Sequence, residues 1–394
     1  MKLLVFLLLI SAVSVDARAS DSGVAERMES SDVATLPQAT PHWVVVTDSW
    51  KTGGSRLIDA DTGHLVGLVD SAPMSNFLID PAGRYFLVAE TIWTRRNRGR
   101  RQDILSLYDR GTLNLSAEID LPGRLVIGGK DQLLAASRDG RYAYIYDFNP
   151  ASSISVVDIA RRRVVGRTSV PGCGLVFAHG DSSISSLCGD GSLVTTTFAQ
   201  HGSAATTKTA TFFDPERDPL FDHADLDEDG RGFFLSYAGL IYPVSLGDTT
   251  PVGVAWSIQS AADLARPTLV PGEIVWRPGG IVPYARHRAS GRLFVLMHIG
   301  EIYTHDEVAQ ELWVVDVASR RVTARYKTKL AAAHINVSQD SKPLVYLNGE
   351  DTLAVIDPAT GIELRRIEHV GFGTLATFDA EANPKKAAHG AIHQ

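Results

Sequence analysis

The sequence predicts an all-β fold, a seven-bladed β-propeller in which strands from the two ends of the chain share one blade. Three observations predict it. Short runs of Val, Ile, Leu and Tyr are cut every few residues by Gly, Asp, Asn or Pro, the pattern of antiparallel strands joined by tight turns. The pattern repeats at a period of roughly 40 to 50 residues, the range of propeller blades. Finally, the first strand lacks an inner partner while the last segment is an inner strand without successors.

The clearest unit runs from Ile335 to Val370, INVSQDSKPLVYLNGEDTLAVIDPATGIELRRIEHV. It reads as strand, polar turn (SQDSK), strand (PLVYL), turn (NGED), strand (TLAVID), turn (PATG) and strand. Its second half returns as RLIDADTGHLVGLVD at Arg56, LSLYDRGTLNLSAEID at Leu105, ISVVDIARRRVVGRTSV at Ile154 and LWVVDVASRRVTARYKT at Leu312. The turn and strand of its first half return as DPAGRYFLVAE at Asp80, SRDGRYAYIYD at Ser137, DEDGRGFFLSY at Asp227 and RASGRLFVLMH at Arg288. Weaker copies lie around Ser192 to Phe213 and Leu240 to Ile258. WVVVTD from Trp43 and GTLATFD from Gly373 are then expected to complete one blade, leaving no free sheet edge at the join.

One propeller absorbs a chain of 394 residues that length alone would split into two or three domains. Hydrophobic residues make up 44% and charge is mixed, as in a globular core. The segment MKLLVFLLLISAVSVDARA has the charged, apolar and small-residue regions of a secretory signal, with cleavage expected after Ala19. Its apolar run is shorter than the 18 or so residues a membrane span needs, and no other stretch qualifies, so no span is expected after its removal. Residues 20–42 read as an arm, 43–380 as the propeller and 381–394 as a flexible tail. The net charge is −7, and loss of Lys2, Asp16 and Arg18 takes the mature chain to about −8. That balance argues against a nucleic-acid partner.

In a four-stranded blade, loops joining the second and third strands share a face with the connections between blades. On that face fall SAPMSN (residues 71–76), WTRRNRGRRQD (93–103), PGCG (171–174), EIVWRPGG (273–280) and HIGEIYTHDEVAQ (298–310). Long loops of unusual composition mark it as the working face. Five arginines, Arg95, Arg96, Arg98, Arg100 and Arg101, fit either a hairpin that docks a partner carrying carboxylates or a solvated loop tip.

Cys173 begins an inner strand and Cys188 ends the strand returning beside it, so the register brings them to one end of one blade. In an exported chain they are expected to form a disulfide closing a loop of about 15 residues, worth roughly 3 kcal/mol. Asp225, Asp227, Asp229 and Gly230 resemble the start of a calcium loop, but Ser236 stands where a bidentate Glu is needed, so a turn is expected. His298, Glu301, His305, Asp306 and Glu307 match no metal-ligand spacing and read as a charged loop. No metal site, nucleophile elbow or catalytic residue is expected on this chain. The tryptophans, Trp43, Trp50, Trp93, Trp256, Trp276 and Trp313, fall in separate repeats, so no cross-linkable pair is expected.

The run INVSQDSKPLVYL with DPATGIELR, the WRPGG at Trp276 to Gly280, the RRNRGRRQD loop and the Cys173 and Cys188 pair resemble the heavy chain of quinoprotein amine dehydrogenases, the methylamine and aralkylamine group. The resemblance covers about Trp43 to Asp379. It implies a periplasmic assembly of two heavy and two light chains. The light chain would carry a tryptophan tryptophylquinone cofactor, primary amines would be deaminated to aldehyde and ammonia, and electrons would pass to a small blue copper protein. The heavy chain, with no cofactor of its own, would be a scaffold that walls the substrate channel, its cysteine pair a structural disulfide. Channel-facing or light-chain-facing positions on this reading are Pro73, Met74, Trp93, Arg96, Arg100, Asp103, Trp276 and Arg277. Methylamine enzymes of the group carry an aromatic residue at the position of Pro73 and Met74, a departure that leaves open the size of the substrate and the use of the channel. The alternative is a solitary periplasmic propeller that binds a partner without redox chemistry.

Overall fold

The computed structural model describes residues 34–47, 53–95, 98–126, 128, 130–148, 151–198, 204–248 and 251–378. Within them, seven antiparallel sheets follow one another along the chain. Blade 1 orders Leu375–Thr377, Trp43–Thr47, Ser55–Asp59 and Leu65–Val69 from inside to outside. Blade 2 has Asn76–Ile79, Tyr85–Arg95, Arg98–Asp109 and Leu115–Asp120, and blade 3 has Leu134–Ala136, Tyr142–Asp147, Ser153–Asp158 and Arg163–Ser169. Blade 4 runs Cys173–His179, Ser183–Cys188, Leu193–Phe198 and Ala204–Lys208, and blade 5 runs Asp225–Leu226, Arg231–Leu235, Leu240–Ser245 and Trp256–Ser257. Blade 6 has Val275–Pro278 and Tyr284–His287 on the inside, then Arg292–Gly300, Ala309–Asp316 and Arg321–Ala332. Blade 7 has His334–Val337, Val345–Gly349, Thr352–Ile356 and Glu363–Glu368.

The seven-bladed expectation and its closure therefore hold. Val44, Val45 and Val46 pair with Thr377, Ala376 and Leu375, and the Thr47 amide donates to the Thr374 carbonyl at 3.0 Å. Asp379, the last residue of the expected closing strand, lies outside the described residues, as do the expected signal segment, most of the arm and the tail. The described end of the arm is tied down, with the Leu36 amide donating to Gly111 O at 2.6 Å and Leu36 and Ala39 packed on a core shared with blades 1 and 2.

Burial explains the two kinds of strand. Middle strands lie between the sheets of adjacent blades, so Trp43–Thr47, Ser153–Asp158 and Val345–Gly349 are buried at every position. Outermost strands keep one wet side, and Glu363–Glu368 alternates half-buried and exposed. The recurring turn into the outer strand uses one device: the carboxylates of Asp59, Asp109 and Asp357 each accept from a backbone amide two residues on and from the hydroxyl of Thr62, Thr112 or Thr360. That chemistry is why the repeat was visible.

Cys173 faces Cys188 in the ladder of blade 4 and the two are bonded, as the register predicts. The one architectural departure is blade 6, whose inner strand breaks in two at Gly279 and Gly280. Gly280 has φ +118, and a Cβ there would sit 2.7 Å from the carbonyl oxygen of Ala333, in the connection from blade 6 to blade 7. The backbones meet too closely for a side chain.

Candidate functional site

The arginine-rich stretch is a β-hairpin, not a loop. The two middle strands of blade 2 extend beyond the ring face, pairing Trp93 with Arg101 and Arg95 with Arg98. Arg95, Arg98 and Arg100 are exposed; Arg96 lies outside the described residues. The base of the hairpin is fixed by Arg101 and Asp103. Arg101 Nη2 and Nε reach Asp103 Oδ1 and Oδ2 at 2.6 and 2.8 Å, Thr91 Oγ1 donates to Oδ1 at 2.6 Å, and Arg101 Nη2 also donates to Leu125 O at 3.1 Å. The guanidinium lies 5.8 Å from the Trp93 ring centre. A forked, half-buried pair of this kind holds geometry better than a single surface contact. It shapes a cleft of about 530 Å³ lined by Trp93, Arg100, Asp103, Pro122 and Arg124.

Pro73 and Met74 stand beside this hairpin, in the connection from blade 1 to blade 2. The buried Glu90, on the same strand as Trp93, accepts from the Ala72 amide at 2.6 Å and from Ser106 Oγ. Burial raises the Glu90 carboxyl above its ordinary value despite these bonds. Ser75 Oγ donates to Ser71 Oγ at 3.2 Å, and Met74 has φ +61, an uncommon conformation for a residue with a side chain. Pro73 is exposed and Met74 half-buried. The Ala72 bond to Glu90 thus ties the connection that carries Pro73 and Met74 to the strand that carries Trp93, while Trp93, Arg100 and Asp103 share the cleft at the hairpin.

Trp276 and Arg277 belong elsewhere. They sit in a strand of blade 6, not in the loop the sequence suggests, separated from blade 2 by blades 7 and 1. Arg277 is 2% exposed, bonded to Glu273 Oε2 at 3.2 Å and Gly300 O at 3.3 Å, with Nη1 unpartnered. It pairs across the sheet with His298, which burial first and the Arg277 charge second pull down to about 4. A Cβ on Gly279 would lie 2.3 Å from His298 Nδ1, so the WRPGG motif reflects close packing.

The expectation that the tryptophans all fall in separate repeats is overturned. Trp276 and Trp313 share blade 6 with ring centres 5.6 Å apart, and the Arg325 guanidinium lies 4.7 and 4.6 Å from them. Residues 37 apart in sequence meet here because both their strands pair with Arg292–Gly300 and the long side chains reach diagonally across it. Trp313 is 0% exposed and its Nε1 donates to Glu311 Oε2 at 2.8 Å. An oxidised, substrate-accessible quinone does not fit a ring so enclosed.

The acidic stretch at Asp225 is a turn: Asp227 Oδ1 accepts from the amides of Asp229 and Arg231, while Asp229 and Asp225 pair with Arg138 and Arg286. His298 Nε2 contacts Thr304 Oγ1 at 2.8 Å and His305 stacks on Tyr237 at 3.7 Å, so these histidines organise the loop from blade 6. Sequence reasoning missed two features. One is a cleft of about 570 Å³ between blades 4 and 5, lined by Phe212, Tyr242, Arg266 and the buried Asp218. The other is the pairing of Asp131 with His223, 3.2 Å apart, on the wall of the central channel. Neither has a local signal, because their members come from segments far apart in the sequence.

Among the described residues no helix is long and apolar enough to cross a membrane. The family model for the methylamine dehydrogenase heavy chain matches residues 38–380. The chain is 29% identical over 330 residues to the methylamine dehydrogenase heavy chain of Methylorubrum extorquens, covering 82% of this chain and 78% of that one. It is 27% identical over 368 residues to that of Methylophilus methylotrophus, covering 91% and 88%. Among solved structures, a dihydro-haem d1 dehydrogenase superposes with TM-score 0.55 at 16% identity, covering 90% of this chain and 78% of that one, a likeness of fold alone. With a match that takes in nearly the whole ring, from the end of the arm to the closing strand, the chain belongs to the methylamine dehydrogenase heavy chain family.

Proposed function

We propose that this chain is the scaffold subunit of a periplasmic amine dehydrogenase, assembled as two heavy and two light chains. The light chain carries tryptophan tryptophylquinone, which supplies the carbonyl electrophile and electron sink that side chains lack. Primary amines leave as aldehyde and ammonia, and electrons pass to a small blue copper protein. Family membership over residues 38–380 is the observation that carries this reading. The geometry adds a rigid ring with a locked, arginine-bearing hairpin beside the Pro73 and Met74 connection. In this reading the hairpin receives light-chain carboxylates, and Pro73 and Met74 border the amine channel. Without an aromatic ring there, the channel wall is an exposed proline and a half-buried, adaptable thioether.

Reversing Arg98 and Arg100 to Glu tests the docking role. These exposed charges make small contributions to folding, so the melting temperature should stay within about 2 °C, while rim charges of this kind act on association. The association rate with the light chain, measured by biolayer interferometry at low salt, should fall by about tenfold or more. An unchanged rate would remove the hairpin from the docking surface. A solitary propeller would bind no light chain at all.

A further inference from the structure

Several carboxylates are buried in the ring, and Asp80, Asp147 and Asp158 each pair with an arginine, Arg84, Arg167 and Arg161. Glu90, 5% exposed, does not. Among the described residues no cationic side chain bonds it, and the charges that act on it, Asp70 and Glu118, are both negative. A carboxylate buried without a counter-charge is costly, and an apolar side chain would occupy the same core position without that cost. What the acid does there is hold backbone. Its Oε2 accepts from the Ala72 amide at 2.6 Å, and its Oε1 accepts from the Ser106 hydroxyl on the neighbouring strand of blade 2. From the blade 1 side the connection is held at Ser71, where the Gly54 amide donates to the carbonyl at 3.0 Å and lies 3.2 Å from the hydroxyl. Gly53, at φ +68, packs so closely that a Cβ would lie 2.4 Å from the same carbonyl oxygen. Between these two clamps stand Pro73, which has no amide hydrogen to anchor, and Met74, whose φ of +61 persists only where the surroundings impose it.

We propose that Glu90 is the positioning residue of this connection: its side chain, aimed by Ser106, holds the Ala72 amide and so sets where Pro73 and Met74 stand, and through them which amines are admitted. The last step rests on the channel role proposed above, whereas the tie itself does not. The chemistry of the tie is specific. Ala72 needs an acceptor and Ser106 needs a partner on the second atom of the same planar group. A glutamine meets both needs, accepting from Ala72 and donating to Ser106, while a leucine of similar size meets neither. The half-exposed Ala72 amide would then turn to water, and the connection would lose its hold on blade 2.

Methyl NMR of the full purified chain, labelled with carbon-13 at methionine, reads the tie without a light chain. Besides Met74 the chain carries Met1, Met28 and Met297, so Met74→Leu assigns the signal. In Glu90→Leu the Met74 methyl signal should move toward that of a freely rotating side chain, while Met297, buried in blade 6, stays in place. Glu90→Gln should restore the wild-type signal. Ser106→Ala, which leaves the carboxylate present but unaimed, should move Met74 in the same direction and decides the matter if Glu90→Leu does not fold. The tie is overturned by a Met74 signal unchanged in the folded variants, by Met297 moving with it, or by Glu90→Gln disturbing Met74 as much as Glu90→Leu does. In complex with a light chain, Glu90→Leu should raise the ratio of kcat/KM for phenethylamine to that for methylamine by about fivefold or more, as the released connection gives way to the larger body. An unchanged ratio beside a freed Met74 signal would overturn the link to amine choice. A wild-type complex silent toward both amines would overturn the proposed function and with it the admission of amines, leaving the Met74 signal to decide the tie.

Discussion

Lowering the pH from 7 to about 4.5 is expected to cost this protein several kcal/mol of folding stability. His334 is the main contributor: burial holds it at about 4 in the folded chain, whereas an unfolded histidine titrates near 6.5. Between those values the unfolded chain binds the proton and the folded chain refuses it, so stability is fully present above about 6.5 and falls as pH drops toward 4. At about 1.4 kcal/mol per pKa unit, His334 alone accounts for roughly 2–3 kcal/mol. His179 and His298, each also held at about 4 mainly by burial, add smaller amounts because solvent is nearer. Glu90 and Asp218 act in the opposite sense, since burial raises their carboxyls and folding then favours their protonation, which offsets part of the loss. Urea denaturation at steps between pH 7.5 and 4.5 should show the decline, and His334→Gln should flatten it. A stability independent of pH across that window would contradict the burial of these rings.

A chain ending at Phe372 is expected to lose the folded state. It would lack the inner strand of blade 1, exposing the unpaired edge of Trp43–Thr47, and the Phe378 ring that contacts Trp43 and Phe86 at 6.1 and 6.2 Å between ring centres. Phe378 is 5% exposed, so Phe378→Ala alone should cost about 3–5 kcal/mol. Circular dichroism and size-exclusion chromatography of the truncated chain should show loss of cooperative melting and aggregation through the open edge. Cooperative melting within a few degrees of the intact chain would mean that the two ends do not close the ring.

The ring was legible in the sequence because its turns repeat their chemistry: an Asp carboxylate capping the turn and a Gly at positive φ recur in blade after blade. The cysteine pairing followed from the same register. Closure was legible because two orphan strands had complementary needs. What stayed hidden depended on contacts between blades. WRPGG reads as a loop, since a strand broken by two glycines looks like one, yet its glycines are dictated by His298 on the neighbouring strand and Ala333 in the connection to blade 7. Arg277 looked like a surface charge until the fold buried it. Trp276 and Trp313 met only once their strands shared a blade. Asp131 and His223 come from segments far apart in the sequence, and only the closed ring brings them to 3.2 Å. The hairpin was readable as a projection, while the lock formed by Arg101 and Asp103 was not, because adjacent alternation gives no hint of the Leu125 carbonyl that completes it.

On the proposed function, this chain is a scaffold whose redox chemistry resides on a partner. The direct measurement is the visible spectrum and amine-dependent dye reduction of the purified chain, alone and co-purified with a light chain. Alone it should be colourless above the protein band and inert toward methylamine and phenethylamine; with the light chain the complex should absorb as a quinone and reduce dye on addition of amine. Quinone absorbance or dye reduction by the isolated chain would contradict the account.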